Sequence, residues 1–152
     1  MKKAAIFFFV FLSLFLTLCS ENEKKSSKTE ILKHNEWNNI FRKYSVDSSV
    51  ISLLGNKINK VDAIKVYFAF WCGDSRNNVP KFIKLIDLIN PDKIEITYIS
   101  VGRKTDGAKY FVSDLKILRV PTFIFFNKGK EIGRIVENPV KSLPEDILNI
   151  IF

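Results

Sequence analysis

Cysteine and histidine are scarce in this 152-residue chain: two of the first, Cys19 and Cys72, and one of the second, His34. Two cysteines cannot staple a small fold through a network of disulfides, nor supply a four-cysteine zinc site. A single histidine also leaves little from which to build a Ser-His-Asp triad or another metal centre. Six glycines and five prolines exclude a collagen-like or low-complexity chain. Neither Gly-x-Gly-x-x-Gly nor Gly-Lys-Ser/Thr occurs, so no nucleotide or other cofactor is expected.

The remaining composition is that of an ordinary globular protein, 47% hydrophobic and 26% charged, with room for one domain. Its net charge of +8 comes from 24 basic and 16 acidic residues. The lysines are scattered, however, and no basic run interleaves with aromatics. The charge therefore reads as a solvated basic surface, and nucleic acid is not an expected partner.

Met1-Lys2-Lys3 is followed by an uncharged apolar run over residues 4–18, and Cys19-Ser20-Glu21-Asn22 then turns polar. That order is the basic and apolar regions of a secretory signal, and the run is shorter than the ~20 residues a membrane-spanning helix needs. Leu16-Thr17-Leu18-Cys19 resembles the lipobox of bacterial lipoproteins, although Leu18 stands where Gly, Ala or Ser is usual. The resemblance implies a lipid on the Cys19 thiol and attachment of an extracytoplasmic, periplasmic domain to a membrane. Plain cleavage near Cys19-Ser20 and an uncleaved anchor are the alternatives, and all three place the domain outside the cytoplasm. Residues 1–18 are thus expected to be a signal peptide, 19–30 a polar tether, and 31–152 the folded domain.

Within that domain, Ile31, Trp37, Ile40, Phe41 and Tyr44 give a rough helical period over 31–44, and Gly55-Asn56 ends a short apolar stretch at 50–54. Residues 64–70 are β-branched and aromatic, as in a buried central strand. Apolar positions from Val79 to Ile89 fall at helical spacing before Asn90-Pro91 stops them. A strand over 94–101, a short helix near 108–115, and strands over 122–126 and 131–136 follow. Asn127-Lys128-Gly129-Lys130 is the turn between the last two strands, and 143–152 is a closing helix with Ser142 at its cap. The expected class is α/β: a central mixed sheet of about four strands flanked by helices, its first pair parallel and its last an antiparallel hairpin. Gly133, inside a strand, marks a bulge or a close backbone approach.

The chemistry is concentrated at Trp71-Cys72-Gly73-Asp74-Ser75, where a central strand ends and a helix opens. Free N–H groups and the positive end of a helix dipole favour a thiolate there. Ser75 is placed to offer its hydroxyl and N–H to the sulfur. Asp74 opposes the anion, and Arg76 is placed to offset Asp74. His34, Asp62 and Asp87 read as surface residues, and the many phenylalanines as core.

This order of elements, with Trp71-Cys72-Gly73 before the helix and Val120-Pro121-Thr122 before a later strand, resembles the thioredoxin superfamily. The resemblance covers roughly 61–152. It implies that Cys72 is the nucleophile, that Trp71 packs beside it, and that Pro121 is cis. It further implies that Val120, Pro121 and Thr122 face Cys72 and hold an extended substrate. Two departures stand out. Ser75 replaces the resolving cysteine of Cys-x-x-Cys, and Val66 occupies the position of a buried proton-accepting Asp. Cys72 can then form a mixed disulfide but cannot release it internally.

Three readings follow. The first is a monothiol thiol-disulfide oxidoreductase acting on protein thiols or disulfides, with an external, low-molecular-weight thiol resolving the intermediate. The second is a redox-inactive thioredoxin-fold module that binds extracytoplasmic polypeptides. The third, a merely structural cysteine, sits poorly with a Trp neighbour at a strand-to-helix junction. The lack of a Thr and Pro upstream of the cysteine speaks against a peroxidase of peroxiredoxin type.

Overall fold

The computed structural model describes residues 23–104, 109–112 and 114–152. The proposed signal peptide and Cys19 lie outside the described residues. A five-stranded mixed sheet organises the rest, in the order β1-β3-β2-β4-β5. Its strands are β1 (Glu23–Ser26), β2 (Ala63–Phe68), β3 (Glu95–Val101), β4 (Thr122–Asn127) and β5 (Lys130–Val136). The helices are α1 (Lys28–Leu32), α2 (Asn35–Lys43), α3 (Ser48–Lys57), α4 (Gly73–Ile89) and α5 (Leu143–Ile151), with a 3-10 turn at Ile58–Lys60. Among the described residues, no helix is long and apolar enough to cross a membrane.

β2 lies at the centre, parallel to β3 and antiparallel to β4, so both its edges are hydrogen-bonded. Ile64, Val66 and Phe68 point to one side, where they join Phe123 and Phe125 of β4 and the apolar faces of the helices. Tyr67 and Ala69 point to the other, with Ile124, Ile99, Val112, Ile117 and Val120. This alternation is the period of two of a pleated strand, carried by a sequence apolar at nearly every position.

The fifth strand corrects the reading of residues 19–30 as a tether over its described part, 23–30. Glu23 to Ser26 pair antiparallel with Val101 to Tyr98 of β3. Backbone groups make that ladder, and Ser26 is the one buried side chain of the strand. A composition test sees only side chains and is blind to such an edge strand. Residues 27–32 are likewise structured: Ser27 caps α1, its hydroxyl accepting the Glu30 N–H at 3.0 Å.

Other boundaries also moved. The period over 31–44 belongs to two short helices that meet at Lys33-His34. α3 runs through Gly55-Asn56 instead of stopping there, since neither residue breaks a helix that is already capped by Asp47. The expected helix near 108–115 is replaced, among its described residues, by an antiparallel bridge between Val112 and Ile117. Lys116, at φ 52°, turns the chain between the two bridged residues.

Several expectations hold. The β4–β5 turn places Lys128 at φ 52° and Gly129 at φ 72°, the pair of positive values that suits a tight hairpin. Asn90 closes α4 at φ 47° before Pro91. Ser142 caps α5, accepting the Glu145 N–H and donating its own proton to that carboxylate at 2.7 Å. The pairing of β4 with β5 shifts register between Phe125 and Phe126, and Gly133 lies directly against Ile150 of α5.

Candidate functional site

β2 delivers the chain to the site. Its last residue, Phe68, is followed by a turn in which the Cys72 N–H donates to the Ala69 carbonyl at 3.1 Å. Cys72 then takes the N-cap position of α4 in extended conformation, and its carbonyl accepts the Arg76 N–H at 3.0 Å. The thiol makes no capping bond. It donates instead to the Val120 carbonyl at 3.2 Å, across the gap between the β2–α4 junction and the start of β4. The Val120-Pro121 peptide is cis, as the resemblance implied. The half-buried Cys72 therefore sits at the carboxyl ends of the parallel strands, where an α/β sheet leaves a crevice.

Ser75 is brought near but turned away from the role assigned to it. It is fully buried, and its hydroxyl accepts the Ala69 N–H at 3.2 Å. That bond fixes the turn carrying Cys72 and leaves the hydroxyl oxygen on the backbone rather than on the sulfur. Arg76 does not offset Asp74 either. Its guanidinium pairs with Glu36 of α2 at 2.6 Å, while Asp74 accepts a hydrogen bond from the Asn138 amide at 3.2 Å.

A cleft of about 480 Å³ opens over the sulfur, and Trp71, Cys72 and Val120 line it. Pro121 and Thr122, expected to face a substrate as well, stand behind that wall. The Thr122 hydroxyl donates to the Arg119 carbonyl at 2.7 Å, and the Pro121 carbonyl accepts the Glu137 N–H at 2.7 Å. Trp71 is 43% exposed and leans toward Phe111, so it walls the cleft rather than sealing the cysteine. Behind the site, the His34 ring packs 4.6 Å from Phe70, next to Trp37. His34 thus has a packing role although it is exposed. Among the described residues, no His/Cys/Asp/Glu group could hold a metal ion.

Several cleft residues were not foreseen from the sequence. Arg103, Lys104, Phe111, Leu118, Arg119 and Glu137 complete the lining. Arg103 follows the end of β3, and the rule that ligands gather beyond the carboxyl ends of parallel strands would have singled it out. Buried Asn78 carries no such signal. Its amide donates to the Glu137 carbonyl at 3.0 Å and to Asn138 at 2.8 Å, tying α4 to the loop after β5. Glu137 in turn holds Arg119 at 2.6 Å, and that bond raises the Arg119 pKa further above its ordinary value. Helix, loop and cleft rim are thereby one hydrogen-bonded unit.

The family described as thioredoxin matches residues 20–143. The chain belongs to the thioredoxin family. Among curated relatives of this thioredoxin-family protein, a mitochondrial thioredoxin O of Oryza sativa subsp. japonica is 38% identical over 77 residues, 51% of the chain and 42% of the rice protein. The chain thus spans less than half of that relative. A thioredoxin-like protein of Acanthamoeba polyphaga mimivirus is 26% identical over 115 residues, 72% of the chain and 80% of the viral protein. Among solved structures, a protein of unknown function from Pseudomonas aeruginosa superimposes with a TM-score of 0.59 at 18% identity. The overlap covers 82% of this chain and 81% of that one, a likeness of fold alone. The match to the thioredoxin family begins at residue 20, so it includes β1 and the helices before β2 that the sequence reading left outside the resemblance.

Proposed function

We propose that this thioredoxin-family protein is a monothiol thiol-disulfide oxidoreductase with Cys72 as its nucleophile. The observation that carries the reading is the placing of the Cys72 sulfur, half-buried at the N-terminus of a 17-residue helix and open to a cleft beside the Val120-Pro121 peptide.

In the first step the Cys72 thiolate attacks one sulfur of a substrate disulfide. A Cys72–substrate disulfide forms, the substrate S–S bond breaks, and the other substrate sulfur leaves as a thiolate. Ser75 offers no sulfur to reverse this, and its hydroxyl is held on the Ala69 N–H. Release therefore falls to an external thiol: its thiolate attacks the mixed disulfide, takes the substrate sulfur and returns Cys72 as thiolate. Substrates are protein thiols or disulfides, and the resolving agent is a low-molecular-weight thiol. Cys19, as a lipid attachment site, would hold this chemistry at an extracytoplasmic membrane face.

The test is to incubate the full chain, in nonionic detergent, with a peptide disulfide and read adducts by mass spectrometry, with Cys72→Ser as blank. The expected result is a Cys72 adduct that persists until glutathione is added and then disappears. A Cys72 that forms no adduct with any disulfide would overturn the reading and leave a redox-inactive binding module. Incorporation of labelled palmitate, lost in Cys19→Ala, is the expected result for the lipid.

A further inference from the structure

The cleft above Cys72 is walled by aromatic rings that carry cations. Trp71 and Phe111 lie 6.0 Å apart between centroids. The Arg103 guanidinium sits 4.8 Å from the Trp71 centroid, and the Lys104 ammonium 4.6 Å from that of Phe111. Lys104 also donates to the Lys109 carbonyl at 3.2 Å, which fixes the ammonium on its ring. A ring face and a backbone carbonyl orient a cation without neutralising its charge. Arg119 adds a third cation at the rim, and Glu137 pairs with it. The described lining thus holds three cations and one carboxylate, and that carboxylate is already engaged with Arg119.

Resting on the reading of Cys72 as a thiol-exchange nucleophile, we propose that Arg103 and Lys104 make this cleft selective for disulfides flanked by carboxylates. A segment laid along the cleft, with its sulfur at Cys72, has its neighbouring residues against Trp71 and Phe111 and within reach of both cations. Charges a few ångströms apart in a walled, partly dry cleft interact several times more strongly than in bulk water. The same field concentrates anionic reactants before they react. Acidic polypeptides and small acidic disulfides share this chemistry, and the experiment separates them.

Three synthetic peptides carry one cysteine each, blocked as the same mixed disulfide with 2-mercaptoethanol, and differ only in having two Asp, two Ser or two Lys beside it. Glutathione disulfide, with its own carboxylates, is the small-molecule arm. Rates of Cys72 adduct formation are measured on the full chain in nonionic detergent, with Cys72→Ser as blank. The expected order is Asp before Ser before Lys, with an Asp-to-Lys ratio on the order of tenfold or more at low salt. That ratio should shrink as salt is raised and fall toward one in Arg103→Gln/Lys104→Gln. In Lys93→Gln/Lys130→Gln, which removes equal charge at the opposite end of the sheet, the ratio should persist. The same Arg103→Gln/Lys104→Gln variant separates the sources: slowing of the Asp peptide with glutathione disulfide unaffected assigns a polypeptide ligand, and slowing of both assigns small acidic disulfides as well. Equal rates for the three peptides, or a ratio that survives loss of Arg103 and Lys104, would overturn the selectivity while leaving the thiol exchange standing. Absence of any adduct, the Ser peptide included, would instead overturn the exchange reading.

Discussion

Gly133 on β5 faces α5 so closely that a β-carbon added there would lie 2.8 Å from Ile150 Cγ2, 2.9 Å from Cγ1 and 3.4 Å from Cβ. These atoms are held near the helix backbone and cannot swing aside as a long side chain would, so Gly133→Ala must push α5 away from the sheet. Overpacking of this kind costs about 1–3 kcal/mol. Alanine also restricts the unfolded chain, which returns about 0.4–1 kcal/mol. The net expectation is a destabilisation of about 1–2 kcal/mol, read as a lower urea midpoint at unchanged m-value. A companion variant identifies the cause. Ile150→Ala removes both γ-carbons, so introducing alanine at 133 on that background should cost almost nothing. The reasoning is refuted if Gly133→Ala alone stays within ~0.5 kcal/mol of the parent, the range of an ordinary surface change. It is equally refuted if the cost is the same with and without Ile150.

Two further predictions concern the site and the sheet. Ser75→Cys places a second sulfur in the first turn of α4. Once Cys72 has formed a mixed disulfide with a peptide disulfide, that sulfur should attack it, release the substrate as a thiol and close a disulfide with Cys72, seen by mass spectrometry as loss of two hydrogens from the chain, with no external thiol added. The substitution should also cost about 1 kcal/mol, because sulfur is a poorer acceptor for the Ala69 N–H. The second prediction is alkaline: burial, with a smaller contribution from the Asp87 carboxylate, pushes the Tyr98 phenol well above its ordinary value. The folded chain then keeps a proton that the unfolded chain releases near pH 10, so stability should fall as pH rises past about 10. Tyr98→Phe should flatten that fall, measured as urea midpoints at about pH 9 and 10.5, and an unchanged slope would refute the assignment.

The sheet from β2 onward was legible because its strands are bounded by strong punctuation. Asn127-Lys128-Gly129-Lys130 fixes the hairpin, and Asn90-Pro91 fixes the end of α4. Cys72 and Pro121 were legible as neighbours, since the resemblance implies a cis Val120-Pro121 peptide facing Cys72, and the Cys72 thiol does reach the Val120 carbonyl. β1 was not, since its stability lies in ladder bonds that Glu23, Lys24 and Lys25 do not advertise through their side chains. The stretch 108–115 was read as a short helix, and nothing in the sequence announces that its Val112 bridges to Ile117 beyond it. The role of Ser75 was misjudged for a different reason. Sequence places its hydroxyl near the sulfur, but the Ala69 N–H, buried and in need of an acceptor, claims it first. Arg103 and Phe111 reach the cleft from one long connection, between β3 and β4, and no spacing in the chain announces that meeting.

β1 has a directional consequence. Glu23 is level with Val101, and β3 runs parallel to β2, so the described chain begins at the same end of the sheet that carries Cys72. Only residues 20–22 separate Cys19 from Glu23, a reach of at most about 14 Å even when fully extended. If Cys19 carried the proposed lipid, the domain would be moored like a boat on a short line, by the end that holds Cys72. The sulfur would then work in the thin layer next to the lipid headgroups, and substrates that protrude only slightly from the bilayer would meet it before freely diffusing ones.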